Sequence, residues 1–208
     1  MIKLQNLPEA ELTTISAQIA DAFYDYKYNE ADEGLVRYIS DRNAMHIYIS
    51  AIVKAAYKSG ILYTTSERNE GFLILSGEDV GTIRFVQGLK MIAAEKKALG
   101  GFKKMKEFIS ACFSEGNTIE TRMKKAKRKF IRIELLAVRP EYQGQGYMRK
   151  LMEYVYRLAD ERAVAVILDT DDMDKSLRYQ HLGMQLDRIR NCGGKFHMYD
   201  LIRPEKTE

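Results

Sequence analysis

The sequence predicts a single α/β domain, and three observations carry that reading. A strongly apolar strand, Ile131 to Val138, runs into a glycine turn and a helix, and a second apolar strand follows at Val164 to Leu168. A strand–helix–strand unit of this kind implies a right-handed parallel crossover between the two strands. Hydrophobic residues make up 46% and charged residues 30% of the 208 residues, which is a globular composition on a chain long enough to bury one core. No internal repeat, low-complexity tract or linker interrupts residues 1–208, so one domain is expected over the whole span.

Each element has a local reason. Pro8 suits the start of a helix, and Leu12, Ile15, Ile19 and Phe23 then recur on one helical face. Asp41 reads as the N-cap of a second helix, which carries Tyr48, Ile52 and Ala56 and stops at Ser59-Gly60. Ile61 to Thr65 and Phe72 to Leu75 read as strands, joined by the polar loop Ser66 to Gly71. Thr82 to Phe113 is helical in pattern and broken at Gly100-Gly101. Gly116-Asn117 separates that stretch from a basic run, in which Met123, Ala126 and Phe130 are spaced as one apolar helical face. The strand through Val138 is closed by Arg139-Pro140. The following helix turns Leu151, Tyr154, Val155 and Leu158 inward. Val164 to Leu168 is almost continuously apolar and so belongs in the middle of a sheet. A helix from Asp172 to His181, ended by Gly183, and strands at Gln185–Arg190 and Phe196–Ile202 complete the pattern.

Composition narrows the function classes. No apolar run approaches the roughly 20 residues that a bilayer span needs, so no membrane partner is expected. The start, Met1 to Asn6, lacks a signal-peptide pattern, and Cys112 and Cys192 are too few for a disulfide framework. A cytoplasmic protein is expected, as a monomer or a homodimer. Net charge is only +4, with the excess in Arg122, Lys124, Lys125, Lys127, Arg128 and Lys129. That run reads as a solvated face rather than a nucleic-acid site, because exposed aromatics are not interleaved with it. His46, His181 and His197 show no ligand spacing, and Thr170 to Asp174 fails the calcium-loop pattern at Met173 and Lys175, so no metal is expected. Asp171, Asp172 and Asp174 suit the N-terminus of the next helix instead. A lesser reading turns one of them toward a cationic acceptor. The tyrosines Tyr24, Tyr26, Tyr28 and Tyr38 are candidates for lining an acceptor pocket, or for packing.

The glycine turn is the most informative segment. Glycines expose backbone N–H groups, and a helix N-terminus adds about half a positive charge, so a strand–Gly turn–helix unit suits an anion. Arg149 and Lys150 lie in the first helical turn, where cations oppose the dipole unless an anion is bound nearby. The turn is not a P-loop, because Gly146 is followed by Tyr147 and Met148 rather than Lys and Ser or Thr. It is not a dinucleotide fingerprint either, because Arg149 occupies the third glycine position.

Val138-Arg139-Pro140-Glu141-Tyr142-Gln143-Gly144-Gln145-Gly146 resembles the pyrophosphate signature of the GNAT superfamily of N-acetyltransferases, matched at Gln143 and Gly146 and departing at Met148. Tyr179-Gln180-His181-Leu182-Gly183-Met184 is similar to a second element of that family, with Asp172 and Lys175 where Asn and Ala are usual. The resemblance covers residues 130–202. It implies a mixed twisted central sheet flanked by helices, with a V-shaped splay between the two central parallel strands. It further implies acetyl-coenzyme A as cosubstrate, its pantetheine arm on the main chain of Leu136, Ala137 and Val138. The pyrophosphate would lie on Gln143, Gly144, Gln145, Gly146, Tyr147 and Met148, with Arg149 and Asp172 also at the cofactor site.

The resemblance makes Tyr179 the general acid for the departing thiolate, since a phenol is protonated at neutral pH. Glu134 is the only acid on the central strand and, at period two, shares a face with Leu136 and Val138. It is either the base that deprotonates the amine or half of an ion pair. The implied reaction is acetyl transfer by direct attack of a primary amine, on a small molecule or a peptide. Two other readings are a non-catalytic acyl-coenzyme A sensor or regulatory module, and nucleic-acid binding through residues 122–129. The helical segment 82–129 reads as an insertion or an acceptor-site element.

Overall fold

The computed structural model describes residues 1–28, 34–39, 41–77, 79–113, 115–194 and 196–206. Among these residues, seven strands form one mixed sheet: β1 (Ile2–Lys3), β2 (Leu62–Thr64), β3 (Gly71–Gly77), β4 (Phe130–Val138), β5 (Ala165–Thr170), β6 (Gln185–Asn191) and β7 (His197–Arg203), in the order β1-β2-β3-β4-β5-β7-β6. Among the described residues, seven α-helices accompany it: α1 (Glu9–Tyr24), α2 (Arg42–Ser59), α3 (Phe85–Ala98), α4 (Phe102–Cys112), α5 (Ile119–Lys125), α6 (Tyr147–Arg162) and α7 (Met173–His181). The crossover through α6 makes β4 and β5 parallel, and every other named pair is antiparallel. A strand of two residues, β1, has too little length to carry a period and escapes a sequence reading.

Alternation along the strands loads both faces of the sheet. Phe72, Ile74, Leu135 and Ala137 meet α1 and α2 on one face, where Leu12, Ile15, Ile19, Ile49 and Val53 are buried. Leu73, Leu75, Ile131 and Ile133 meet α6 on the other, through Leu151, Met152 and Val155. Each such side chain, at 2% exposure or less in α1 and α2, stabilises the fold by roughly 1.5–3 kcal/mol. The caps follow the sequence: Asp41 accepts from the Ala44 amide at 2.9 Å, and Gly60 closes α2 at φ 73° in the left-handed region. Gly100 and Gly101 separate α3 from α4 as their positions suggest.

The basic run departs from expectation. α5 stops at Lys125, Lys127 takes φ 53°, and Phe130 opens β4 instead of completing a helical face. Met123 and Phe130 are both buried in the cluster formed with β5, and Ala126 is exposed. Their spacing fits a helix, but the chain must extend by Phe130 to join the sheet. The longer-range demand wins over the local one. Among the described residues, no helix is long and apolar enough to cross a membrane.

Candidate functional site

The site begins where β4 and β5 part. Their parallel pairing is confined to Phe130–Arg132 against Ala165–Ile167, while Leu168, Asp169 and Thr170 pair with β7 alone. Leu136, Ala137 and Val138 pair with Leu73, Phe72 and Gly71 of β3, which, among the described residues, leaves their other edge without a strand partner. That edge is the splay the sequence implied. It lies at the carboxyl ends of the parallel pair, where open α/β sheets place ligands.

The glycine turn follows directly. Gly144 (φ 75°) and Gly146 (φ 82°) adopt backbone that other residues take only under strain, and a Cβ on either would meet nothing within 4 Å. Gly146 is the N-cap of α6, and no side chain caps that helix. Among the described residues, the amides of Gly144, Gln145 and Gly146 have no acceptor, and the first-turn amides of α6 are the usual orphans of a helix start. The Gln145 side chain turns back to the Glu141 carbonyl at 2.8 Å, and Gln143 donates to the Val138 carbonyl at 3.2 Å. These bonds hold the turn while leaving its amides open.

Turn and strand edge together line a cleft of about 760 Å³. Leu136, Ala137, Val138, Gln143, Gly144, Gly146, Tyr147, Met148 and Arg149 form one wall, and Phe23, Tyr26, Arg178, Tyr179 and His181 stand opposite in the lining. Met148 also packs on the α6 side of the core. Asp172 is not in that lining. It is fully buried as the N-cap of α7, accepting from the Lys175 amide at 2.8 Å and the Tyr26 hydroxyl at 2.9 Å.

A second cavity of about 390 Å³ lies against the first. Phe23, Leu136, Lys175 and Tyr179 line both, so the two meet at these four residues. Tyr179 is 9% exposed, and burial, with the Asp171 and Tyr156 charges adding, raises its phenol above the ordinary value of 10.0. It therefore stays protonated through the neutral range. The Lys175 ammonium sits 4.1 Å from the Tyr26 ring centroid and 4.5 Å from that of Tyr28, and pairs with Asp171 at 3.1 Å. Tyr28 also donates to Asp171 at 2.8 Å.

Glu134 lines this second cavity, with Arg132, Asp169 and Asp171. The β3–β4 register slips between Ile74 and Leu75, which face Leu135 and Ile133, so Glu134 occupies a β-bulge. The bulge breaks the period-two reading. Leu136 and Val138 pack on the α6 side, whereas Glu134 accepts from Ser76 and pairs with Arg132 Nε at 3.2 Å. Burial opposes the charge on Arg132, but Asp169, Glu134 and Glu120 outweigh it and raise its pKa.

One buried residue of the site gave no sequence signal. Glu70, 5% exposed, accepts from Thr65 Oγ1 at 2.6 Å, from Ser66 Oγ at 2.7 Å and from the Tyr147 hydroxyl at 3.4 Å. Its carbonyl also accepts from the Arg139 amide at 3.0 Å, so it fixes both ends of the turn. Of the four tyrosines read as pocket-lining or packing residues, Tyr26, just beyond α1, lines the cleft beside Phe23. Of the other tyrosines, Tyr24 faces Arg42, and Tyr38 stacks edge-on against Phe108 and Phe196. Among the described residues, no group of three or more His, Cys, Asp or Glu side chains is arranged to hold a metal ion.

A family model described as the acetyltransferase (GNAT) family matches residues 67–184, more than half of the chain. Among curated proteins there is no match. Solved structures share the fold. One described as histone acetyltransferase HPA2 and related acetyltransferase from Corynebacterium glutamicum aligns with a TM-score of 0.60 at 12% identity, covering 97% of this chain and 95% of that one. The polyamine N-acetyltransferase of Drosophila melanogaster aligns at 0.55 and 14%, covering 96% and 98%. A putative arylalkylamine N-acetyltransferase 7 from Aedes aegypti aligns at 0.56 and 14%, covering 96% and 85%.

Proposed function

The chain belongs to the acetyltransferase (GNAT) family, and from that premise we propose that it transfers an acetyl group from acetyl-coenzyme A to a primary amine by direct attack. The observation that carries the reading is the meeting of two cavities at Tyr179 and Leu136, one walled by a bare helix start and a free strand edge, the other by carboxylates. Acetyl-coenzyme A, when bound, supplies an acetyl group activated as a thioester.

The chain's own residues suit that partner. The free edge of Leu136 to Val138 offers backbone groups to an extended pantetheine arm, as another strand would. The open amides from Gly144 to Met148, with Arg149 beside them, offer donors and positive charge to a pyrophosphate. Asp172 serves the same site indirectly, by fixing Tyr26 and the start of α7. At the junction, the Tyr179 hydroxyl donates its proton to the departing sulfur and is restored by the second proton that the nitrogen sheds as the amide forms. Glu134, held by Arg132 and Ser76, takes the proton that the ammonium must lose, directly or through a water.

Direct attack is favoured over an acyl-enzyme on electrostatic grounds. Cys112 lines the second cavity, but its contact with Cys192 and its burial push its thiol pKa up, away from the nucleophilic thiolate. Two of the structural neighbours are named for amine acceptors, which is the class this reading assigns. Free thiol release with acetyl-coenzyme A and a panel of small amines, amino acids and peptides tests it. Turnover with at least one primary amine is expected. Binding of acetyl-coenzyme A with no turnover on any of them would leave a sensor instead.

A further inference from the structure

Among the described residues, twelve large hydrophobic side chains are exposed, and seven of them lie on α3, on α4 or just beyond. That concentration calls for a partner, because single exposed hydrophobics are ordinary but a stripe of them along one helix is not. On α3 they are Phe85 (79% exposed), Val86, Leu89 and Ile92. Phe85, Leu89 and Ile92 are spaced four and three apart, so they form one stripe. The opposite side of this segment is already used: Ile83 and Leu99 pack on the core shared with α2. On α4 and its cap, Phe102 (68%), Ile109 and Phe113 are spaced seven and four apart and form a second stripe, while Met105 and Phe108 face inward.

The polar residues around these stripes select the partner. Lys90, Lys96, Lys97, Lys103, Lys104 and Lys106 are all exposed on the two helices, against the acids Glu95 and Glu107. We propose that α3 and α4 form a docking surface for an anionic phospholipid bilayer, lying in the headgroup plane with the phenylalanine, leucine and isoleucine side chains inserted. Lysine stems lie along apolar surface and carry the ammonium outward, which places six cations at the level of lipid phosphates. A second copy of the chain fits less well, because a two-fold contact would bring twelve lysines together. A protein partner fits less well too, since lysine is depleted at protein interfaces. The lack of a spanning segment does not bear on helices that lie in the interface.

Co-sedimentation of the full chain with vesicles tests the surface. Binding is expected to vesicles of phosphatidylcholine with about 30% phosphatidylglycerol, and at least about tenfold less to phosphatidylcholine alone. Raising salt from about 0.1 M to about 0.5 M should release most of the bound protein. Phe85→Gln with Leu89→Gln and Ile92→Gln, and separately Lys103→Glu with Lys104→Glu and Lys106→Glu, should each lower binding at least about tenfold. Both variants change exposed side chains, so their unfolding midpoints should stay near that of the parent. The inference is overturned if the parent does not sediment with anionic vesicles, if neutral vesicles serve equally, or if both variants bind as the parent does. It is equally overturned if the parent is a dimer that the Phe85 variant splits, since the stripe then belongs to a second copy.

Discussion

Two helices start at the carboxyl ends of the parallel strands, and they solve the same problem in opposite ways. α7 follows β5 and is capped from within: the buried Asp172 carboxylate takes the Lys175 amide and the Tyr26 hydroxyl. α6 follows β4 and, among the described residues, no side chain caps it, with Gly146 at its N-cap and open space around the turn. The start of α7 holds its own acceptor, whereas that of α6 opens its amides onto the cleft, as the proposed pyrophosphate site requires. The closed helix carries Tyr179, the proposed acid, which lines both cavities.

The comparison can be broken at several points. The largest effect belongs to Tyr179→Phe, which keeps the ring and deletes the proton donor. Turnover should fall about 10²–10⁴-fold with acetyl-coenzyme A affinity unchanged. A rate within about threefold of the parent, with chemistry shown to be limiting, would exclude the acid role. Glu134→Gln should lower turnover about 10²-fold and remove the ascending limb of the pH–rate profile. If the limb survives and only the unfolding midpoint drops, Glu134 is the structural partner of Arg132 and no base. Asp172→Ala should destabilise the fold by about 2 kcal/mol, from the lost cap and an unpaired Tyr26 hydroxyl, and leave cosubstrate affinity within about threefold. A stable variant that no longer binds would mean that the closed helix start holds ligand after all.

The smallest effect concerns Glu70, which steadies the open turn. Burial alone would raise its pKa, but hydrogen bonds from Thr65, Ser66, its own backbone and Tyr147 lower it from 4.5 to about 2. A carboxyl depressed in the folded state stabilises above its unfolded pKa and loses that contribution as pH falls from 4.5 toward 2. The unfolding midpoint of the parent should therefore decline across that window, and Glu70→Gln should flatten the decline. An identical acid limb in both proteins would remove Glu70 from the account.

Features encoded by neighbours along the chain were legible in the sequence. β4, the glycine turn and α6 form one continuous segment, and the Asp41 and Gly60 caps act within a turn of their helix. Features encoded across the fold were not. The bulge at Glu134 exists because β3 slips against β4, and no residue of β4 announces it. Glu70 reaches Tyr147 across 77 positions, and Tyr26 reaches Asp172 across 146. The basic run shows the same limit from the other side, since helical spacing at Met123, Ala126 and Phe130 yields to the sheet that Phe130 must enter.

Calorimetric titration of the parent and Gly146→Glu tests directly whether the bare start of α6 receives the pyrophosphate of acetyl-coenzyme A. The parent should bind with measurable heat and a raised melting temperature, while the folded variant should give neither, because a side chain and a negative charge fill the anion site. A folded Gly146→Glu protein that binds acetyl-coenzyme A as tightly as the parent would contradict the account.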